Sequence, residues 1–152
     1  MRAHIDVVLE LADALRSAGV EPVEPGAPTV VTAPRGQVDW ASTLAELTSL
    51  FRKAKAAAEA GHSVVFVIGV DALLGRDGAL DAMAATGVVS AARTLALGLR
   101  KQGAVANCIA VDRSTPNEET ARWIVRLLEA TPDGPTGELL QLGGGQIGKA
   151  LS

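Results

Sequence analysis

The sequence contains no tyrosine, and its only histidines are His4 and His62. Serine–histidine triads, histidine metal sites and proton transfer by a tyrosine hydroxyl group therefore have few or no candidate residues. The single cysteine, Cys108, excludes an internal disulfide bond and is typical of a reducing compartment. Because Cys108 lies in the apolar run AVANCIAV, we expect a buried thiol and not a nucleophile.

Clustered positive charge is also lacking. The chain has 14 lysine and arginine residues against 17 aspartate and glutamate residues, and the basic residues are scattered. This pattern gives little support to nucleic-acid binding. No basic segment and long apolar core follow Met1, and no apolar run approaches membrane-spanning length. We therefore expect a cytoplasmic protein without a nucleic-acid or membrane partner.

What is present is a regular alternation of helical and strand patterns. Helical spacing of apolar residues predicts helices over residues 4–19, 39–61 and 80–103, and a fourth from about Pro116. Asp39 is the candidate cap of the second helix, and Thr115 with Glu118 forms a candidate capping box for the fourth. Continuous apolar runs predict strands at 29–33, 63–70, 104–111 and 138–144. The three prolines of VEPVEPGAP allow at most a short edge strand before them.

This order predicts an α/β three-layer sandwich with a mainly parallel sheet. With 152 residues, we expect a single domain, in which residues 1–28 form an N-terminal helix and a proline-rich connector. Ligands of such sheets bind beyond the carboxyl ends of the strands. Any site is thus expected among the loops at 33–39, 69–78, 111–116 and 143–148.

Charged side chains in these loops are the candidate site residues. Arg35, Arg76 and Arg113 could together hold a phosphate or a carboxylate, or could simply be solvated. The acidic residues are Asp71, Asp77, Asp81, Asp112 and Glu118. They could bind a divalent cation or act as an acid/base pair, although helix N-termini favour acidic residues in any case.

The glycine pattern Gly143-x-Gly145-x-x-Gly148 matches the dinucleotide fingerprint in spacing only. That fingerprint needs a helix after its glycines to hold the pyrophosphate, and four residues follow Gly148. We do not expect a cofactor to bind through it.

From residue 29 to residue 148 the chain resembles the C-terminal portion of the short-chain dehydrogenase/reductase family, the NAD(P)-dependent Rossmann enzymes that include the ketoacyl reductases. The segment ARTLALGLRKQGAVANCIAV is similar to the family's helix-then-strand passage, with Asn107 on its strand asparagine. TGELLQLGGG resembles the family's terminal strand. The resemblance implies a truncated Rossmann-like fold, similar to the non-catalytic N-terminal half of large ketoacyl reductases, and a setting in fatty-acid or polyketide metabolism.

The family's catalytic residues are not present at the matching positions. Its tyrosine falls on Asp81, its lysine on Ala85, its serine near Gly69 or Val70 and its helix asparagine on Glu46. The glycine-rich phosphate loop has no counterpart, and we interpret the chain as beginning at or after the end of the strand that should precede that loop. The resemblance thus implies a pseudo-reductase that binds no cofactor.

In the resembled family, subunits pair through the two helices that match residues 40–60 and 79–101. This implies a homodimer, or a complex with a full-length reductase, formed by these helices. The small residues of the second helix would allow close approach of a partner, or would serve only to pack the helix on its own sheet. The strand at 29–33 is expected at a sheet edge, open to pairing.

Three functions remain open on these observations. The first is a non-catalytic interaction module. The second is a domain that binds a nucleotide, an acyl-CoA or another anion through Arg35, Arg76 or Arg113. The third is a different enzyme that uses Glu46 and the loop aspartates, and the fold by itself supplies no support for it.

Overall fold

Helices and strands alternate along the computed structural model, which describes residues 1–130 and 133–143. In chain order the elements are β1 (Arg2–Asp6), α1 (Leu9–Ser17), β2 (Glu21–Pro22), β3 (Thr29–Thr32), α2 (Trp40–Glu59), β4 (Val64–Gly69), α3 (Val70–Leu73), α4 (Ala79–Leu99), β5 (Ala106–Val111), α5 (Asn117–Leu128) and β6 (Leu139–Leu142). A short 3₁₀ turn, Arg100–Gln102, follows α4.

The strands of this described part form one parallel sheet in the order β2-β1-β3-β4-β5-β6. Strands β4 and β5 pair from Val64 with Ala106 to Gly69 with Val111, and nearly all their residues are buried. Continuous apolar runs are typical of strands covered on both faces, so the two central strands follow directly from the sequence. The predicted α/β three-layer sandwich is confirmed.

Helices cover both faces of the sheet. Helices α1 and α5 pack together over one core, which includes Leu15, Val65 and Ile124. Helices α2, α3 and α4 enclose the other core, around Phe66 and Val88. Asp39 caps α2 as predicted, because its Oδ1 accepts a hydrogen bond from the Ser42 N–H at 2.7 Å.

The N-terminal segment corrects a prediction. Residues 4–19 were expected to form one helix, but Arg2–Asp6 is a strand and the helix begins only at Leu9. The apolar residues Ile5 and Val8 suit a helix by their spacing, whereas pairing of His4–Asp6 with Thr29–Val31 stabilises the strand. The interpretation that the chain begins after the first strand of the fold is therefore wrong.

Strand β3 was expected at an edge of the sheet, and this is also wrong. It lies between β1 and β4. The ladder to β4 runs from Thr29 with Val64 to Thr32 with Val67. The newly identified β1 covers the other side, so β3 offers no free edge to a partner.

Helix α4 has an unusual composition for a helix of this sandwich. By length and composition alone, the segment Ala79–Gln102 could cross a membrane, whereas no apolar run of that length was expected from the sequence. In the fold, 39% of its most apolar 18-residue window is buried. The helix packs against β4, β5 and α2. It is thus a layer of the sandwich that keeps much apolar surface outside the core.

Asn107 ties β5 to the segment that precedes β6. Its buried side-chain amide donates a hydrogen bond to the Pro135 carbonyl oxygen at 2.8 Å. Its Oδ1 accepts one from the Glu138 N–H at 3.1 Å. This strand asparagine therefore has a structural role in the chain.

Cys108 is buried within β5, and burial raises the pKa of its thiol to about 12 from the ordinary 9.0. At pH 8 the reactive thiolate form of Cys108 is thus about a thousandfold less populated in the folded protein than in a thiol with the ordinary pKa. We expect a thiol reagent to modify the native protein at least about 100-fold more slowly than the protein unfolded in guanidinium. Equal rates in the two states would show that Cys108 is accessible.

Candidate functional site

Loops that follow β3, β4 and β5 meet at the carboxyl end of the sheet, as the parallel topology requires. They enclose an open cavity of about 270 Å³. Its lining residues are Arg35, Gly69, Val70, Asp71, Asp77, Val111, Asp112, Arg113, Thr115 and Asn117. Two of the three predicted anion-binding arginines and three of the predicted aspartates are thus brought together.

Ion pairs neutralise much of the charge in this cavity, which we call the polar cavity. Arg113 contacts the Asp71 carboxylate at 3.0 Å and the Asp77 carboxylate at 2.9 Å, and so links the loops after β4 and β5. Arg76, which does not line the cavity, contacts Asp71 at 3.1 Å. Since the Arg113 side chain is 75% exposed, these pairs hold the loops only weakly.

Arg35 differs from the other two arginines because it forms no ion pair among the described residues. Its guanidinium lies directly over Gly69. A Cβ atom at Gly69 would come within 2.5 Å of Arg35 Nη2. The missing side chain at the end of β4 therefore makes room for the one unpaired cation among the described residues of this cavity.

Asp112 is held by the turn that follows β5. Its Oδ1 accepts hydrogen bonds from the Ser114 hydroxyl and the Ser114 N–H, each at 2.7 Å. These bonds, the hydroxyl bond foremost, lower the pKa of the Asp112 carboxyl group below its ordinary value. The lowered pKa favours the charged carboxylate, so Asp112 accepts hydrogen bonds from the turn and is not a proton donor at neutral pH.

Substituting Ser114 by alanine removes the larger cause of that lowered pKa. We expect the pKa of Asp112 to rise toward its ordinary value in Ser114→Ala, measured by NMR titration of the carboxyl carbon. Ser114→Thr keeps the hydroxyl group and is the control. The lowered pKa favours the charged form, so any associated stability is present at neutral pH and is lost as the pH falls through it. An unchanged pKa in Ser114→Ala would contradict this assignment.

The predicted capping box at the start of α5 does not form. The helix begins at Asn117 with Pro116 at its cap position, and no side chain caps it. Thr115 Oγ1 is buried without a hydrogen-bond partner. It faces Gly143, where a Cβ atom would come within 2.6 Å of both Thr115 Oγ1 and the Asp112 Cβ. Gly143, with φ of 96°, thus allows the end of β6 to approach this turn.

The residues at the matching catalytic positions lie in different surroundings. Asp81, in the first turn of α4, is buried, and its carboxylate accepts hydrogen bonds from the Gly36 N–H at 2.9 Å and the Gln37 N–H at 3.0 Å. Ala85 and Val70 are buried apolar residues, and Glu46 is exposed on α2. Asp81 therefore fixes the loop that carries Arg35.

The place of a phosphate loop, between β1 and the helix after it, holds only Val7 and Val8. Val8 occupies the cap position of α1, and this link contains no glycine. The Asp6 carboxylate at the end of β1 is paired with Lys53 at 2.6 Å. A two-valine link beside a carboxylate lacks the backbone approach that a pyrophosphate needs.

The remaining candidate residues are the possible metal ligands and the C-terminal glycines. Within residues 1–130 and 133–143, no group of three or more histidine, cysteine, aspartate or glutamate side chains is placed to hold a metal ion. Gly145 and Gly148 lie outside the described residues. Asn117 lines the polar cavity but was not predicted from the sequence. The sequence shows only that it follows Pro116, the residue at the cap position of α5.

The fold is that of the short-chain dehydrogenase/reductases. A short-chain dehydrogenase/reductase from Brucella melitensis, described as a glucose/ribitol dehydrogenase, superposes with a TM-score of 0.75 at 16% identity, covering 95% of this chain and 94% of that one. A protein from Thermus thermophilus gives 0.71 at 17%, covering 97% and 98%. A short-chain oxidoreductase from Brucella ovis gives 0.68 at 15%, covering 93% and 99%.

No protein-family model matches the sequence, and no curated protein does. The structural likeness thus establishes the architecture, while function has to be argued from the residues of this chain. The expectation of a short, truncated Rossmann-like fold is supported by this 152-residue chain, whose matches cover nearly the full length of the structures it resembles.

Proposed function

We propose that this chain is a non-catalytic domain with the short-chain dehydrogenase/reductase fold that acts by binding another protein through α2 and α4. The partner is a second copy of the chain or an intact ketoacyl-type reductase. The observation that carries the proposal is a set of exposed apolar side chains on these two helices. We call it the α2/α4 patch: Trp40, Leu44, Met83 and Leu97.

The α2/α4 patch contains several of the most exposed large hydrophobic residues in the described part of the chain. Its side chains are 50% to 78% exposed and make up half of the exposed large hydrophobic residues in the described part of the chain. Trp40 and Leu44 begin a series of apolar residues at helical spacing on α2, and its later members Leu47 and Phe51 pack on the core. An apolar surface of this kind marks a protein interface.

Helix α4 adds a second argument. It carries no charged residue from Ala82 to Ala92. Some of its small residues, such as Ala85 and Ala92, belong to the core between the helix and the sheet, so internal packing explains those. Gly87 and Ser90 follow Met83 by one and two helical turns and so lie on the same side of the helix. Ser90 is exposed and a Cβ atom at Gly87 would meet nothing within 4 Å, so a partner helix could approach closely here.

The chemistry supports a non-catalytic role. The reduction carried out by the resembled family needs a tyrosine hydroxyl group, and this chain has none. Asp81 is committed to two backbone N–H groups, and Val7 and Val8 replace the phosphate loop. We therefore expect neither reduction of ketoacyl substrates nor tight binding of NADPH.

The experiment combines two assays on the purified chain. NADPH oxidation is measured with a ketoacyl thioester, and binding of an intact ketoacyl-type reductase from the same host is measured on an immobilised surface. The proposal expects no turnover and saturable binding, either to the reductase or to the chain itself. NADPH-dependent turnover by the chain alone would overturn the non-catalytic role.

A second candidate is binding of an anion in the polar cavity, and unpaired Arg35 favours it. Thermal shift against nucleotides, CoA esters and simple carboxylates tests this candidate, with Arg35→Gln as the variant. A stabilisation that disappears in Arg35→Gln supports a ligand at this position. A flat panel contradicts it.

A further inference from the structure

A second open cavity, of about 250 Å³, lies toward the opposite end of the strands from the polar cavity. It is formed by the last turns of α4, the 3₁₀ turn and the segment before β6, and its lining residues are Arg93, Ala96, Leu97, Arg100, Thr136 and Gly137. A different set of α4 residues, Thr94, Leu95 and Gly98 among them, borders the groove to α2. The cavity therefore belongs to the side of α4 that faces β6.

The wall opposite α4 is held close and in a fixed place. The Gly137 N–H donates a hydrogen bond to the Ala106 carbonyl oxygen at 2.7 Å. A Cβ atom at Gly137 would lie 3.3 Å from the Ala96 Cβ, and Gly137 has a φ of 74°. Glycine thus lets this segment pass over the helix and shape a cavity between them.

The polar side chains of the cavity are donors. Arg93 and Arg100 lie seven residues apart, about two helical turns, and neither forms an ion pair with another described residue. Thr136 Oγ1 accepts a long hydrogen bond of 3.4 Å from the Ala106 N–H, so its hydroxyl proton remains free to be donated. Among the described residues, no acidic side chain lines the cavity.

The remaining lining is apolar. Ala96 and Leu97 form the surface between the two arginines, and Leu97 is 78% exposed. We propose that this cavity binds a small organic anion, whose carboxylate or phosphate oxygens are held by Arg93 and Arg100 and whose short apolar group packs on Leu97. Its volume is below the 300–1,000 Å³ typical of pockets for drug-sized molecules, so a compact ligand is expected.

Amide NMR titration tests this inference with defined probes. Mono-n-butyl phosphate and butyrate carry the two anionic groups on a short apolar chain, while inorganic phosphate and n-butanol each carry one half of that chemistry. We expect at least one butyl anion to shift the amide signals of Ala96, Leu97 and Gly137 with saturation, with a dissociation constant of the order of 1 mM or lower. The stronger of the two shows which oxyanion the site prefers.

Charge variants locate the binding. Arg93→Gln and Arg100→Gln are each expected to weaken binding of the preferred anion about tenfold, because each removes a charge-assisted hydrogen bond. Arg122→Gln makes the same charge change at an exposed arginine of α5, on the other face of the sheet, and is the matched control. It should bind like the unmodified protein.

Three results would overturn the inference. The first is that neither butyl anion shifts these amide signals at concentrations of about 10 mM, well above the expected dissociation constant. The second is that inorganic phosphate binds as tightly as butyl phosphate while n-butanol has no effect, because this would exclude a contribution of Leu97 to binding. The third is that Arg122→Gln weakens binding as much as Arg93→Gln, because this would show that only the net charge of the protein attracts the anion. Because Leu97 also belongs to the α2/α4 patch, the titrations are made without a reductase and at a protein concentration at which the chain is monomeric.

Discussion

Replacing Leu44 and Met83 together by glutamate is expected to separate the assembled protein into single chains. Both side chains are about half exposed on neighbouring helices of one layer. In a symmetric pair each substitution occurs twice, so four carboxylates would have to be desolvated in an apolar contact. We expect affinity for the partner to fall at least about 100-fold, measured by size-exclusion chromatography over a range of concentrations.

The control for this variant is Leu9→Glu. Leu9 is 68% exposed at the start of α1, on the opposite face of the sheet, so the same kind of charge enters a surface of similar exposure. It should leave the assembly intact. If Leu9→Glu and the double variant behave alike, or if neither changes the elution, α2 and α4 do not form the interface.

Asp81→Ala is expected to lower the free energy of unfolding by about 2–4 kcal/mol. The buried carboxylate accepts hydrogen bonds from the Gly36 and Gln37 N–H groups, and alanine leaves both donors without this partner. In Asp81→Asn the amide oxygen can still accept one of these hydrogen bonds, but the amide NH₂ group cannot accept the other. We therefore expect a smaller loss of unfolding free energy, about 1–3 kcal/mol. Urea unfolding measures both values.

Asp77→Ala is the matched control for these variants. Asp77 is also an aspartate near the start of α4, but its side chain is 25% exposed and it pairs with the exposed Arg113. Loss of such a pair should cost less than about 1 kcal/mol. Equal unfolding free energies for Asp81→Ala and Asp77→Ala would contradict a structural role of Asp81 in the Arg35 loop.

The central part of the fold follows from local sequence patterns. Strands β4 and β5 are continuous apolar runs, and α2 has both its cap at Asp39 and a glycine, Gly61, with φ of 74° after its last turn. The N-terminal strand did not follow from them. Ile5 continues the apolar spacing of the following helix, and only pairing with β3 makes this segment a strand.

The same contrast holds at the candidate site. Parallel topology was enough to predict that Arg35, Asp71 and Arg113 share one edge of the sheet. It did not predict that Asp81 binds backbone N–H groups 44 and 45 residues away in sequence. Nor did it predict that Thr115 leaves α5 uncapped, or that Gly143 lies against Thr115, since that contact joins segments far apart in sequence.

Sedimentation equilibrium of the unmodified chain, alone and mixed with an intact ketoacyl-type reductase, is the most direct test of an interaction module built on α2 and α4. We expect either a species of twice the 15.5 kDa chain mass at micromolar concentration or a defined complex with the reductase. Either species should be lost in the Leu44→Glu, Met83→Glu variant. A mass of 15.5 kDa for the chain alone at every concentration, together with only the separate masses of chain and reductase in the mixture, would contradict the proposed function.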